Sequence, residues 1–274
     1  MADTYYRGLD SAATISDPAA LAPFFTFAMR YLKYTDSEEI GGLLAAGIAV
    51  GLIWEHGTQD ALGGPEAGYD NAQDAILKAN ALGAPVGAGI FVAVDMDTAG
   101  LQQADFNEVC GYCDAFVGAV TEAGYTGGIY ACGDVQWATV ECVPWLAGAM
   151  GWSGSHAYDD QDMWVIKQGL PLYSGSWCGV SWPNIGIEYD PNLATNIDWA
   201  WQPDQPIVQG PPTLRRGDQG EDVARLQNDL EVPWLIADGD FGAATEYVVK
   251  GFQQTKRLTP DGIVGPQNWT ALEP

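Results

Sequence analysis

Gly89-Ile90-Phe91-Val92-Ala93-Val94-Asp95-Met96-Asp97 is the stretch whose reading decides the fold. Positions 89–94 carry no polar side chain, Ile90, Val92 and Val94 are β-branched, and the run stops at a carboxylate. A short apolar run of this kind predicts a buried β-strand, and alternation along it sends Asp95 and Asp97 the same way if the strand continues that far. Outward from it, the same pattern recurs at Tyr6–Asp10, Phe27–Tyr31, Ala49–Glu55, Gly127–Ala131, Ala147–Trp152, Met163–Gln168 and Gly186–Asp190. Helical stretches fall between several of these: Ser37–Ala46 behind the capping side chains of Thr35-Asp36-Ser37, then Asp70–Leu82 and Leu101–Ala123. Near-continuous apolar strands alternating with helices predict an α/β fold, a (β/α)8 TIM-like barrel. Because the last two connections lack clear helices, that barrel is expected to be irregular.

Four candidate strands end in an acid: Asp10, Glu55, Asp95 and Asp190. In such a barrel the strand ends meet at one rim, where active sites sit. The expectation is a carboxylate cluster at one mouth.

Composition narrows the chemistry. The 274 residues hold 11 Lys+Arg against 36 Asp+Glu, a net charge of −25 that excludes an electrostatic footprint for nucleic acid or anionic membrane surfaces. A hydrophobic fraction of 47% with 11 Trp excludes disorder. No run approaches the roughly 18 apolar residues of a membrane span. Met1-Ala2-Asp3-Thr4-Tyr5-Tyr6 has neither the basic nor the apolar region of a signal peptide, so no export signal is expected. Five cysteines (110, 113, 132, 142 and 178) are read as reduced thiols. Cys110-Gly-Tyr-Cys113 lies in a helical stretch with no histidine at ligand spacing, and no metal or cofactor is expected. No Gly-x-Ser-x-Gly, HExxH or phosphate-loop motif occurs.

The chain divides near a proline-rich stretch, 201–212, which reads as a linker between a large domain (1–200) and a small one (213–274). The acidity belongs mainly to the first part, which holds 25 acids and 5 bases. In the second, Val223, Leu226 and Leu230 fall at helical spacing, as do Val248, Val249 and Phe252. Asp238-Gly239-x-Phe241-Gly242 recurs 23 positions later as Asp261-Gly262-x-Val264-Gly265, two turns expected to build the fold.

Gly8-Leu9-Asp10, Arg30-Tyr31-Leu32, Glu39…Leu43…Ala46-Gly47-Ile48, Ile90-Phe91-Val92-Ala93-Val94-Asp95 and Tyr189-Asp190-Pro191-Asn192-Leu193-Ala194 follow in a telling order. Together they resemble the glycoside-hydrolase-like domain related to glycoside hydrolase family 25 lysozymes, over roughly 5–200. Leu214–Gln227, Asp238–Thr245, Gly251–Gln254 and Asp261–Pro266 with Trp269 and Leu272 resemble the small three-helix peptidoglycan-binding domain. The resemblance implies a phage-endolysin-like peptidoglycan hydrolase, a monomer whose partner is the bacterial cell wall. Without an export signal it is expected to be made in the host cytoplasm and to act after release. A different class stays open: a wall-binding protein whose barrel holds glycan without cleaving it.

Glycoside hydrolysis needs a protonated carboxyl for the leaving oxygen and a second carboxylate, or the substrate's own acetamido group, for the electron-poor centre. Family 25 lysozymes carry Asp-x-Glu at the fourth strand end, with the Glu as acid. Aligning Ala93-Val94-Asp95 with that motif puts Asp95 at the acid's place; aligning Asp95-Met96-Asp97 puts Asp97 there, and neither supplies the Glu. The expectation is that Asp95 is the acid and Asp97 supports it. Glu55 could supply the longer carboxylate, with Trp54 as an apolar wall, unless it pairs with Arg7, Arg30 or another base. Asp10 and Asp190 complete the catalytic candidates. Trp54, Tyr130, Trp152 and Gln168 are the candidates for binding substrate.

Overall fold

The computed structural model describes residues 5–139, 142–171, 174–178, 180–205, 212–256 and 258–272. The chain forms two compact units that divide between Ile207 and Val208. The middle of the expected linker, 206–211, lies outside the described residues.

The first unit is a closed eight-stranded barrel. Its strands are β1 (Tyr6–Asp10), β2 (Phe27–Tyr31), β3 (Ala49–Trp54), β4 (Gly89–Ala93), β5 (Thr126–Ala131), β6 (Val143–Leu146), β7 (Ile166–Gln168) and, after a hairpin of β8 (Gly175–Trp177) and β9 (Val180–Trp182), β10 (Asp190–Ala194). Helices α1 (Pro18–Leu21), α2 (Ser37–Ala45), α3 (Gly64–Leu82), α4 (Gln103–Glu122), α5 (Gly133–Ala138) and α6 (Ser155–Asp159) fill the connections up to β7. The Asp36 side chain caps α2 by accepting from Glu39 N, as its position before the acidic first turn implied.

Strands β1 to β7 run parallel to their neighbours, but β10 is antiparallel to both β7 and β1. A uniformly parallel arrangement therefore does not hold. The reason lies between Gln168 and Asp190, where the described residues form a hairpin and no helix. A parallel crossover needs a long return connection, usually a helix. Without one, the chain enters β10 from the mouth it has just left. Three further sequence expectations shift: β6 precedes the segment 147–152, β7 is shorter than Met163–Gln168, and the last strand starts at Asp190 instead of ending there.

Alternation sorts the side chains into two layers. Phe27, Met29, Ala49, Ile53, Phe91, Trp145, Ile166 and Ala194 fill the barrel interior, whereas Val50, Leu52, Trp54, Ile90 and Val92 face the helices. Inside, the Trp199 ring meets Phe27 at 5.6 Å and Phe91 at 5.1 Å, both edge to face. Two glycines make room for these rings. A Cβ on Gly8 would lie 2.2 Å from the Phe27 ring, and one on Gly128 would lie 2.2 Å from the Phe91 ring.

The second unit contains α7 (Glu221–Asp229), α8 (Ala243–Lys256) and α9 (Pro266–Leu272) around Leu214, Leu226, Phe241, Val249, Val264 and Trp269. The two Asp-Gly turns are built alike. Buried Gln227 accepts from Gly239 N (2.9 Å) and donates to Asp238 Oδ1 (3.0 Å), while buried Gln253 accepts from Gly262 N (2.9 Å) and donates to Asp261 Oδ1 (2.7 Å). Gly239 and Gly262 sit at φ of 75° and 83°, where a side chain is strained. The repeated motif is thus a scaffold, as its turn chemistry implied.

Replacing Gly128 by Val should cost the barrel about 2 kcal/mol or more, because the Phe91 ring has no free volume to retreat into. Urea denaturation of the variant checks this, and a loss below ~0.5 kcal/mol would contradict the packing described.

Candidate active site

At one mouth of the barrel, Tyr31, Ile53, Glu55, Ala93, Asp95, Tyr130, Trp145, Gln168 and Asp190 line a cleft of about 120 Å³. That is small against the ~300–1,000 Å³ of typical ligand clefts, and suits a single reacting group. Alternation brings these residues together: Ile53 and Glu55, Ala93 and Asp95, and Tyr130 all continue the inward-facing series of β3, β4 and β5. Asp190 joins them because an antiparallel strand begins at the rim where parallel strands end.

Asp10 lies directly opposite Asp190 in the β1–β10 register and is buried behind the cleft wall. Its Oδ2 accepts from Gln168 Nε2 (3.0 Å) and Asn192 Nδ2 (2.7 Å), and its Oδ1 accepts from the Tyr31 hydroxyl (3.3 Å). Each amide is oriented by an N–H donor that cannot reverse, Gly148 N for Gln168 and Trp145 Nε1 for Asn192. Gly148 N (3.2 Å) and the Tyr130 hydroxyl (2.8 Å) donate to Gln168 Oε1, and Trp145 Nε1 donates to Asn192 Oδ1 (2.9 Å). Gln168 Nε2 also reaches Asp190 Oδ2 at 3.2 Å, so it bridges the two aspartates. Asp190 Oδ1 is buried with no hydrogen-bond partner among the described residues.

All four carboxyls are held above the usual carboxylate range. For Asp190 the causes are burial, then the charges of Asp10, Glu188 and Asp95. For Asp10, burial outweighs the opposing hydrogen bonds from Gln168, Asn192 and Tyr31 and the charge of Arg30. Burial likewise raises Glu55, helped by Asp95 and Asp10 and opposed by Lys33. Burial raises Asp95 too, opposed by the Tyr130 hydroxyl, whose single proton Asp95 shares with Gln168 Oε1. Tyr31 and Tyr130 are pushed far upward by burial and the surrounding acids, and remain neutral hydroxyl donors.

Arg30 is not a partner of Glu55. It points outward from β2, fully buried, with Nη2 3.0 Å from Glu39 Oε1, and donates to the Ser11 and Ala13 carbonyls. That arrangement fixes the loop after Asp10. Among the described residues Glu55 joins no ion pair.

The remaining candidates sit elsewhere. Trp54 faces the helices, stacked on His56 at 5.4 Å with Lys78 over its ring, because even positions of β3 point outward. It is not a wall of the cleft. Asp97 lies past the end of β4, where its Oδ1 accepts from Ala99 N (3.0 Å) and Ser153 N (2.9 Å) and so ties two mouth loops together. Trp152 is partly buried between the two apolar layers and does not line the cleft. Tyr31, Asn192 and Trp145 were not anticipated, although Asn192 stands two positions from Asp190, as alternation would require. All described cysteines are free thiols, and burial pushes Cys110 up to about 11.

These features define a closed barrel with carboxyls gathered at one mouth, in a chain that also carries a small helical unit. Residues 25–204 match the Rv2525c-like, glycoside hydrolase-like domain, and the chain belongs to that family. Residues 219–272 match the peptidoglycan binding domain. The crystal structure of the Tat-secreted protein Rv2525c of Mycobacterium tuberculosis, in complex with L-tartrate, is similar in fold (20% identity, 70% of this chain and 96% of that one, TM-score 0.55). A Burkholderia AP3 phage endolysin is 44% identical over 22% of this chain and 24% of its own, with a TM-score of 0.21. An uncharacterized protein from the bpoA1 3′ region of Kitasatospora aureofaciens is 41% identical over 66 residues. That match spans 23% of this chain and 56% of the relative, so the chain covers just over half of that curated protein's length.

The acids set a pH signature. Unfolded aspartates titrate near 3.9, whereas Asp190 is pushed up to about 8. Between those values the folded protein binds more protons than the unfolded chain, so stability falls as pH rises through the window. The melting temperature should therefore drop from pH 5 to pH 8, and Asp190→Asn should flatten that drop. An unchanged slope in the variant would contradict the assignment.

Proposed function

We propose that the protein is a peptidoglycan-cleaving glycosidase, related to the family 25 lysozymes, that works by carboxylate acid/base chemistry and is held on the wall by its C-terminal domain. The observation that carries this reading is the gathering of Asp10, Glu55, Asp95 and Asp190 at one barrel mouth, in a chain that also has a peptidoglycan-binding domain. Raised carboxyls in a narrow cleft provide the protonated acid that glycosidic cleavage requires. Glu55 and Asp95 line the cleft as candidates for the acid or for serving the electron-poor sugar carbon, while Tyr130 and Gln168 hold the acids and face the sugar. Tethering to an insoluble polymer raises the effective substrate concentration at the mouth. On this reading the protein acts as a monomer on bacterial peptidoglycan, as a phage-type lysin made in the host cytoplasm that meets the wall after release. It uses no cofactor, nucleic acid or membrane.

The second reading, a glycan-binding barrel without hydrolysis, is favoured by one feature: both β4 candidates, Asp95 and Asp97, are shorter than the glutamate of the family 25 motif. Mass spectrometry of muropeptides released from purified walls separates the two, since new reducing ends require cleavage. Asp95→Asn should reduce their release by at least ~10²-fold, in the range that general acid–base or electrostatic groups contribute. Asp97→Asn should lose less, because that side chain caps a loop. No release by the wild-type protein would leave the binding reading.

A further inference from the structure

Alternation and strand direction place two acids face to face, and their hydrogen bonds are unequal. We propose that Asp10 and Asp190 share one proton in the resting protein, that Asp190 holds it, and that Asp190 donates it to the oxygen of the bond being broken. The inference rests on the glycosidase reading and names the acid within it.

Direct opposition in an antiparallel register brings two side chains to about 5 Å at Cβ, where like charges are destabilising. One proton removes that repulsion, and the surroundings decide which partner keeps it. Asp10 is the better-solvated anion: it receives Gln168, Asn192 and Tyr31, and the Arg30 charge also favours its ionised form. Among the described residues Asp190 receives only the shared Gln168 amide, and its Oδ1 is buried without a partner. A buried anionic oxygen without a donor is costly, and protonating the carboxyl lowers that cost; the proton for the leaving oxygen is carried on Oδ2, because Oδ1 is closed to the cleft. The other charges facing Asp190 are Glu188 on its own segment and Asp95 at the end of β4, both acids, so neither favours its ionisation. The neutral hydroxyls of Tyr31 and Tyr130 complete the surround. Asp190, and not Asp10, lines the cleft. Asp10 is then a positioning residue that keeps its neighbour protonated.

The step balances without a further reagent. The Asp190 O–H bond breaks as its proton passes to the leaving oxygen. The sugar C1–O bond breaks with its electron pair on that oxygen. The electron-poor C1 is stabilised by the Asp95 or Glu55 carboxylate or by the substrate's acetamido oxygen. One water then adds to C1 and returns a proton to Asp190.

The test uses the full chain and purified bacterial walls, with reducing ends measured from pH 4 to pH 9. Wild-type activity should fall on the alkaline side as Asp190 ionises. Asp190→Asn, which keeps the shape of the protonated acid, should lose at least 100-fold at every pH with its melting temperature at pH 5 retained. Asp10→Asn removes the neighbouring anion, eases ionisation of Asp190 and should move the alkaline fall to lower pH by about one unit or more. If Asp190→Asn keeps most of the wild-type rate, or Asp10→Asn leaves the alkaline fall in place, the inference is overturned and the glycosidase reading stands. If the wild-type protein releases no reducing ends at any pH, the glycosidase reading fails and donation by Asp190 fails with it.

Discussion

A barrel closed by a strand running the other way forces Asp10 and Asp190 into the same register position, and the mouth is organised around that constraint. Two carboxyls at one rung of a sheet would repel if both were ionised. The structure answers with donors on one partner and few on the other. Gln168 and Asn192 are the instruments, and each is locked by an N–H donor that cannot be flipped, Gly148 N and Trp145 Nε1. The aromatic interior thus does more than fill space. Trp145 packs edge to face on Phe91 at 5.9 Å and also sets the amide that steadies Asp10.

The same economy appears in the rest of the rim. Arg30 and Glu39, buried on the outside of the barrel, hold the loop that leaves Asp10, and breaking such a buried pair typically costs several kcal/mol. Ser11 Oγ donates to the Glu188 carbonyl at 2.9 Å, tying that loop to the segment that enters β10. Asp97, Asp134 and Ser153 link the loop after β4, the first turn of α5 and the loop after β6. In the C-terminal unit a different device, one glutamine per Asp-Gly turn, secures two turns of the same sequence pattern.

Much of this was legible from the chain because strand alternation and terminal acids are local signals. Glu55 and Asp95 announce themselves by ending apolar runs, and the Asp-Gly repeat by its turn chemistry. Asp190 was found for a reason that proved incomplete: it follows an apolar stretch, yet it starts its strand. Strand direction is not written in a run of residues; it is set by whether the preceding connection can carry the chain back across the barrel. The missing helix before β10 was visible, but its consequence, a facing pair with Asp10, depends on pairing between residues 180 positions apart. Trp54 shows the opposite failure. Adjacency to Glu55 in sequence suggested a shared wall, whereas alternation puts the two on opposite faces of β3. Tyr31 closed an apolar run and Asn192 followed the expected end of the last strand, and their distance to Asp10 gives them a role.

The central claim is a distribution of one proton over two carboxyls, and neutron diffraction of deuterium-exchanged crystals at neutral pH observes it directly. The account predicts deuterium on Asp190 and a bare carboxylate at Asp10, with the Gln168 and Asn192 amide deuterons pointing at Asp10. Deuterium on Asp10 instead, or two bare carboxylates, would contradict it.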